Sequence, residues 1–529
     1  MSFVIRLAVC SLVLAASLQQ ISAKTASAII VKTASGDLSG QNDGISSVMA
    51  FKGIPYAAPP VGDLRWREPA PPAAWTGVRH TDAFAASCMQ SLHGEFLPWT
   101  KEFLVQNQAS EDCLYLNVWT PKPSAAADLP VIVFIHGGAF TEGSGSIPVY
   151  DGTNLASTGL VVVTINYRLG VFGFLAHPDL TAESAHHASG NYGFMDQIAA
   201  LRWVRSNIRG FGGDPGRVTV WGQSAGAFSV GALLASPEAK GLFQRAVADS
   251  GLAIAGLPMS PLSAAEEAGV KLASSHSAHS IKELRAIPAA DLLPRPGDSF
   301  SAPRFGPVSD GWILPQSPLA LTDQAVDSDV PVITGYQAND AMLGGPPIHS
   351  ASELAEMAHH LYGGMADEFL SLYPAKSDDE ARAAAVESNR DRERVSMYLW
   401  AARRLKNHKS PVYTYYFDRA IPWPQHPEFG AFHSGELPYF FRNLAALDRP
   451  WEPVDSQVSN TASSYLKEFA KTGDPNLPQA PKWPACDPSA PATMEIGSKT
   501  GSMPLATSAR FAFWVRYFNS PESKNAPLF

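Results

Sequence analysis

The chain has 529 residues, 45% of them hydrophobic and 17% charged, and carries a net charge of −9 at pH 7. A chain of this length can bury a large core. The negative balance and the lack of a dense Lys/Arg run argue against a nucleic-acid partner, which would need a basic surface. No Gly/Ser linker, repeat or low-complexity segment divides the chain, so we expect one large α/β unit.

Residues 1–23 have the pattern of a secretory signal peptide. Arg6 supplies the positive charge, and residues 7–18 form an apolar stretch. We expect cleavage after Ala23, leaving a mature secreted or periplasmic domain over residues 24–529. An uncleaved anchor is the alternative, but about twelve apolar residues are too few to span a bilayer. No later stretch is apolar and long enough to do so.

The cysteines agree with an exported protein. Cys10 lies in the predicted signal peptide, while Cys88 and Cys113 lie close together in the mature sequence. In an oxidising compartment we expect these two to form a disulfide. Cys486 remains, and we interpret it as a partly buried free thiol.

Short apolar runs predict the strands of a central sheet. Residues 28–66 alternate such runs with Gly-rich turns, which predicts antiparallel strands at the start of the sheet. Continuous apolar runs, typical of strands covered on both faces, occupy residues 114–118, 131–135, 161–165, 218–221, 330–334 and 412–417.

Helical periodicity appears between two of these runs. Ile198, Leu201 and Val204 recur at helical spacing within residues 192–208. This pattern predicts a crossover helix, and therefore parallel neighbouring strands. Two long excursions follow, over about residues 252–310 and 341–410. The first is rich in proline, and we expect it to form a helical cap over the functional site.

The most informative motif is Gly222-Gln223-Ser224-Ala225-Gly226, directly after the apolar run 218–221. A serine between two glycines, at the point where a strand ends and a helix begins, is typical of a nucleophile elbow. The turn is so sharp that only glycine leaves room on either side of the serine.

A serine nucleophile needs a base, and the base needs a carboxylate to orient it. In hydrolases with this elbow the chain order is serine, acid, histidine, and the acid and histidine follow later strands. Asp340 follows the run 330–334, and His433 lies beyond the run 412–417. Asp310 is the alternative acid.

A second glycine-rich turn follows the run 131–135, at His136-Gly137-Gly138-Ala139-Phe140. Its backbone N–H groups can converge with that of Ala225 on a developing oxyanion. The alternative is an ordinary turn that ends a strand.

The chain resembles the type-B carboxylesterases, a family that includes cholinesterases and bacterial para-nitrobenzyl esterases. The resemblance is carried by residues 51–56, 111–117 and 190–193, together with the elbow and the His433 segment. It implies an α/β-hydrolase fold, with a mostly parallel central sheet, antiparallel N-terminal strands, helices on both faces and a helical cap region.

The resemblance also implies roles for individual residues. It makes Ser224 the nucleophile and His433 the base, in an esterase that acts on small molecules and needs no cofactor or metal. The matching oxyanion donors are Gly138, Ala139 and Ala225. The matching disulfide joins Cys88 to Cys113 around a loop that lines the active site.

Two positions depart from the family pattern. Asp340 followed by Ala341 stands where glutamate followed by glycine is usual, and the shorter side chain requires the backbone to approach His433 about 1.5 Å more closely. Gln223 stands where the elbow often carries glutamate, which removes a negative charge beside the nucleophile and disfavours a choline-ester specialist.

Other readings are weaker. Cholinesterase-like adhesion modules lose the serine or histidine, and this chain retains both. A Ser464…Lys467 pair with Lys499-Thr500-Gly501 matches a different serine-hydrolase pattern, but the interval is too short for that fold. The adjacent histidine pairs lack partners at metal-binding spacing. The natural ester and the oligomeric state, monomer or homodimer, stay open.

Overall fold

A computed structural model describes residues 29–42, 47–92, 94–254, 259–294, 305–340 and 348–525. The predicted signal peptide lies outside these residues. The strands are β1 Ile30–Thr33, β2 Gly36–Ser39, β3 Gln41–Asn42, β4 Met49–Pro55, β5 Val78–His80, β6 Ser87–Cys88, β7 Ala109–Ser110, β8 Tyr115–Thr120, β9 Leu129–Ile135, β10 Val161–Ile165, β11 Gly213–Gln223, β12 Arg245–Asp249, β13 Ser260–Pro261, β14 Val308–Ser309, β15 Val332–Gln337, β16 Val412–Phe417, β17 Ala492–Ile496 and β18 Gly501–Pro504.

The α-helices are α1 Thr153–Ala156, α2 Gly170–Phe174, α3 Pro178–Glu183, α4 Tyr192–Asn207, α5 Ala225–Ala235, α6 Leu262–Ser275, α7 Ile281–Ala286, α8 Pro318–Asp323, α9 Ala351–Tyr362, α10 Ala366–Leu372, α11 Asp378–Arg404, α12 Leu437–Phe440, α13 Pro453–Thr472 and α14 Ser508–Phe518. Throughout the described ranges, each helix is too short or too polar to cross a bilayer.

A large mixed sheet organises the molecule. Eleven strands of the described chain form it in the order β18-β17-β16-β15-β12-β11-β9-β10-β8-β4-β3. From β10 to β17 along this order, neighbouring strands run parallel. Strands β8, β4 and β3 at one side, and β18 at the other, are antiparallel. The predicted mostly parallel sheet with antiparallel N-terminal strands is confirmed.

Part of the predicted antiparallel start of the central sheet belongs to a separate sheet. Strand β1 pairs with β2, and β2 with β5, in a separate three-stranded sheet. The turn between Thr33 and Gly36 folds the chain back on itself, so β1 finds its partner locally rather than in the large sheet.

The side chains of the central strands point alternately to the two faces of the sheet, and each face carries its own hydrophobic core. In β9, Val131, Val133 and Ile135 pack into one core, while Ile132 and Phe134 pack into the other. Successive side chains of a strand point to opposite faces. Helices α4 and α5 cover the first face, and α13 covers the second. This two-sided burial explains why the β9 sequence is apolar at every position from 130 to 135.

The two excursions contain helices, as expected. The described part of the first includes α6 and α7 and is tied to the N-terminal region. Arg65 donates hydrogen bonds to the carbonyls of Arg285 and Ile287, at 3.1 and 2.7 Å, and Thr181 donates to Glu266 at 2.6 Å. The described residues of 252–310 are not among those that line the cavity containing Ser224. That this excursion forms a cap over the site stays a prediction.

Candidate active site

The elbow sequence forms a sharp turn between β11 and α5. Ser224 has φ 58° and ψ −124°, a strained backbone conformation for a residue with a side chain. A Cβ atom at Gly222 would lie 2.2 Å from the carbonyl oxygen of Gly226, and one at Gly226 would lie 2.0 Å from that of Ile135. Only glycine allows these approaches. The Ser224 N–H donates to the Asp249 carbonyl at 2.9 Å, which ties the turn to β12.

The glycine-rich turn after β9 packs directly against the elbow. A Cβ atom at Gly137 would lie 2.9 Å from the Cβ of Ser224. Gly138 and Ala139 have φ values of 107° and 53°, and both line the same cavity as Ser224. Ala225 begins α5 on the other side of the serine, where the helix dipole favours negative charge. The turn and the start of the helix therefore meet where an oxyanion would form.

His136, in the same turn, has a structural position. Its ring stacks on Tyr167 with centroids 4.5 Å apart, and its Nδ1 lies 2.8 Å from the Gly137 carbonyl oxygen. Burial lowers the pKa of His136 to about 4. The ring is therefore neutral at pH 7 and supports the turn rather than serving as a base.

Two loops bring His433 and Asp340 together. The backbone N–H of Asn339 donates to the Ala431 carbonyl at 2.9 Å, and the Ala431 N–H donates to Asn339 Oδ1 at 3.2 Å. His433 Nδ1 is hydrogen-bonded to Asp340 Oδ1, and both side chains are buried. The backbone pairing of the loops supplies the close approach that the short aspartate side chain needs.

The second carboxylate oxygen of Asp340 is also held. Ser250 Oγ donates to Oδ2 at 2.5 Å, and the Gln337 N–H donates to the same atom at 3.1 Å. Asp340 thus accepts hydrogen bonds on both oxygens. This fixes the orientation of the carboxylate that His433 contacts.

Asp310, the alternative acid, stabilises the turn in which it lies. Its Oδ1 accepts hydrogen bonds from the N–H groups of Trp312 and Leu314, at 3.0 and 2.9 Å. This pattern closes the loop after β14. The structure therefore places Asp340, and not Asp310, against His433.

Further carboxyl groups, which the sequence did not single out, are buried around Asp340. Asp249 accepts a hydrogen bond from the Tyr415 hydroxyl at 2.8 Å, and burial raises the pKa of Asp249 to about 7. Burial, with the nearby Asp340, also raises the pKa of Glu393 and Glu436 well above the usual range for glutamate. Burial thus favours their protonated forms, which limits the negative charge in this cluster.

A cavity of about 210 Å³ contains Ser224 and His433. Gly138, Ala139, Gln223 and Ser434 also line it. The rest of its wall is largely apolar and aromatic, and includes Leu92, Phe96, Trp99, Phe103, Leu104, Val105, Ile147 and Tyr150. Such a wall favours apolar or aromatic groups beside the serine.

Much of this wall belongs to a loop closed by a disulfide. Cys88 and Cys113 are bonded, with Cα atoms 4.9 Å apart, and the lining residues between 90 and 105 lie within the loop that they close. Gln90 ties the loop to the segment that follows the glycine-rich turn, because its amide donates to the Gly143 carbonyl at 2.9 Å and accepts from the Gly143 N–H at 2.8 Å. The sequence had given no reason to select Gln90.

Residues 27–514 match the model of the carboxylesterase family. The chain belongs to the carboxylesterase family. Fumonisin B1 esterase of Sphingopyxis macrogoltabida is 37% identical over 484 residues, covering 88% of this chain and 86% of the relative. Para-nitrobenzyl esterase of Bacillus subtilis (strain 168) is 37% identical over 479 residues, covering 86% of this chain and 92% of the relative.

A solved structure of PNB esterase has a TM-score of 0.74 to this carboxylesterase at 34% identity, covering 92% of this chain and 99% of the other. The predicted α/β-hydrolase fold and the resemblance to type-B carboxylesterases are confirmed. The protein is a carboxylic ester hydrolase.

Two further observations concern other parts of this carboxylesterase. Cys486 is a free, half-buried thiol, as expected, and burial raises its pKa to about 12. Within the part of the chain that the structure describes, His, Cys, Asp and Glu side chains form no cluster of three or more that could hold a metal ion.

Proposed function

We propose that this carboxylesterase is an exported serine enzyme that cleaves small-molecule esters through an acyl-enzyme. The observation that carries the proposal is the hydrogen bond from His433 to Asp340 at the wall of the cavity that Ser224 lines. It supports a base that is oriented by a carboxylate and lies in the same cavity as an elbow serine.

In the proposed mechanism, Ser224 Oγ attacks the ester carbonyl carbon while His433 accepts the hydroxyl proton. The N–H groups of Gly138, Ala139 and Ala225 stabilise the oxyanion. The C–O bond to the alcohol then breaks, and His433 returns the proton to the departing oxygen. Water, deprotonated by His433, repeats the sequence on the acyl-enzyme and releases the acid.

The largely apolar wall supports esters with an apolar or aromatic acyl or alcohol group. A panel of 4-nitrophenyl and alkyl esters that differ separately in acyl and alcohol size would define the preference. We expect kcat/KM to rise with apolar groups that fit the cavity and to fall for esters that exceed it.

Ser224→Ala tests the role of the nucleophile. Rapid mixing of the wild type with a 4-nitrophenyl ester should release a burst of nitrophenol equal to the enzyme concentration, and the variant should show none. A burst from a folded Ser224→Ala protein would remove Ser224 from the proposed role.

Export is supported by the Cys88–Cys113 disulfide, since such bonds persist in oxidising compartments. We propose that residues 1–23 are removed and that residues 24–529 form a single catalytic domain. N-terminal sequencing of the protein recovered from the periplasm or medium of an expressing bacterium should begin at Lys24. Recovery of the intact N-terminus in the cytoplasm would contradict this.

A further inference from the structure

One contact at the site is not used by the proposed mechanism. The side-chain amide nitrogen of Gln223 lies 3.1 Å from Nε2 of His433. Both side chains are buried. Nε2 is the nitrogen that has to take the proton of Ser224, because Nδ1 faces Asp340. Gln223 is therefore bonded to the reactive atom of the proposed base.

This contact agrees with the tautomer of His433 that Asp340 requires. An amide nitrogen donates and does not accept hydrogen bonds. Because the Asp340 carboxylate can only accept, the ring proton is on Nδ1, where it is donated to Asp340, and Nε2 accepts from the Gln223 amide. This is the neutral tautomer that a general base in this arrangement requires.

The other end of the Gln223 amide faces the glycine-rich turn. A Cβ atom at Gly137 would lie 3.0 Å from Gln223 Oε1 and 2.9 Å from the Cβ of Ser224. The amide thus lies between the turn that contains two of the expected oxyanion donors and the imidazole ring. A glutamine here spans two parts of the site that come from different loops.

We propose that Gln223 is a positioning residue for His433. Its amide holds Nε2 as an acceptor in the resting enzyme and yields this nitrogen to the Ser224 hydroxyl when an ester binds. The inference rests on the proposed function, because it assumes that His433 is the base. It assigns a role in the catalytic cycle to the elbow position where this chain departs from the usual glutamate.

Gln223→Glu keeps the size of the side chain and replaces the donor with an acceptor. A carboxylate beside Nε2 favours the protonated imidazole, which cannot act as a base. The acid limb of the pH dependence of kcat/KM should therefore move to higher pH by about one unit. The other acidic groups around His433 are the same in both proteins: Asp340 against Nδ1, Asp249, Glu393 and Glu436 near Asp340, and Glu142 in the cavity wall.

Gln223→Met removes the donor while filling a similar volume. The ring then lacks the contact that orients Nε2, so kcat should fall about tenfold while KM changes less than kcat. Gln197 offers a matched control. It is a buried glutamine on α4 whose amide donates to Ser229 at 2.9 Å, behind the elbow helix.

The experiment compares wild type, Gln223→Glu, Gln223→Met, Gln197→Glu and Gln197→Met with one neutral 4-nitrophenyl ester between pH 5 and 9. Melting temperatures establish that each variant is folded. The inference requires that the acid limb move only in Gln223→Glu, and that kcat fall more in Gln223→Met than in Gln197→Met.

Superimposable pH profiles for the wild type and a folded Gln223→Glu variant would overturn the inference. An equal loss of kcat in the two methionine variants would overturn it as well. If Gln223→Met does not fold, the pH profile of the glutamate variant alone decides the question. A burst that survives in Ser224→Ala would instead be a failure of the proposed function, so the two failures are distinguishable.

Discussion

Asp340→Asn keeps the size of the side chain but removes the carboxylate that orients His433. In the wild type, Oδ2 accepts from both Ser250 Oγ and the Gln337 N–H, whereas Oδ1 accepts from His433 Nδ1. An asparagine has one carbonyl oxygen, and the two donors will hold it at the Oδ2 position. The amide NH2 then faces Nδ1 and forces the ring proton onto Nε2.

With its proton on Nε2, His433 cannot accept the proton of Ser224. We therefore expect kcat to fall by about 10⁴, which corresponds to about 5.5 kcal/mol of transition-state stabilisation. The assay is steady-state hydrolysis of a 4-nitrophenyl ester by the purified variant, with its melting temperature measured in parallel. Asp310→Asn is the matched control and should show no comparable loss of kcat, because the Asp310 carboxylate is held by its own turn and by Asn191.

A folded Asp340→Asn variant that kept kcat within about tenfold of the wild type would refute this reasoning. So would an Asp310→Asn variant that lost activity to the extent predicted for Asp340→Asn. Either result would mean that the contact between Asp340 and His433 does not determine the tautomer of the base.

Three further outcomes are expected. Gly226→Ala should unfold at lower temperature or lose soluble yield, because its Cβ would lie 2.0 Å from the Ile135 carbonyl oxygen; such overpacking costs about 1–3 kcal/mol or more. Replacing Cys88 and Cys113 together by serine should lower the free energy of unfolding by about 3.5 kcal/mol, from the 25-residue separation in the loop-entropy model. As pH falls from about 6.5 to 4, protonation of His136 in the unfolded chain but not in the folded one should cost up to about 3 kcal/mol of stability.

Each outcome has a control. Gly306→Ala should be tolerated, because no atom lies within 4 Å of an added Cβ and the residue has an ordinary φ. Cys486→Ser removes a thiol without removing a disulfide, and should cost less than the double replacement. The predicted loss of stability at low pH is tested by urea denaturation at several pH values, in the wild type and in His136→Phe. A variant and its control that lose equal stability would contradict the corresponding argument. So would free energies of unfolding that depend on pH in the same way in the wild type and in His136→Phe.

The strands predicted most accurately from the sequence are those in which successive residues are all buried. Strands β10 and β16 have the predicted bounds, and β9 extends the predicted run by two residues. Their β-branched and aromatic residues are buried on both faces, so local composition and tertiary environment agree. Strand β12 was missed because it is short and begins with Arg245, and its alanines carry little strand signal.

The elbow was predictable because its geometry depends on residues adjacent in sequence. Gly222 and Gly226 make room for each other, and this local requirement leaves a motif in the sequence. The contact of Gln223 with His433 joins residues 210 positions apart. A sequence pattern marks Gln223 as unusual but does not show which atom it meets.

The buried carboxyl groups are the other unpredicted feature. Glu393 lies on a helix rich in charged residues and Glu436 lies in the turn after His433, and charged residues are seldom fully buried. Their positions depend on how α11 and the His433 turn pack at the ends of β12 and β15. In the same way, the place of the 252–310 excursion depends on Arg65, which bonds to residues 220 and 222 positions later in the chain.

Mapping the acyl group on the enzyme tests the central claim most directly. The wild type would be mixed with a 4-nitrophenyl ester, quenched in acid within the burst phase, digested and analysed by mass spectrometry. The account predicts one acyl group per molecule, attached to Ser224 in the peptide that contains the elbow. An acyl group on another residue, or rapid turnover with Ser224 unmodified under these conditions, would contradict it.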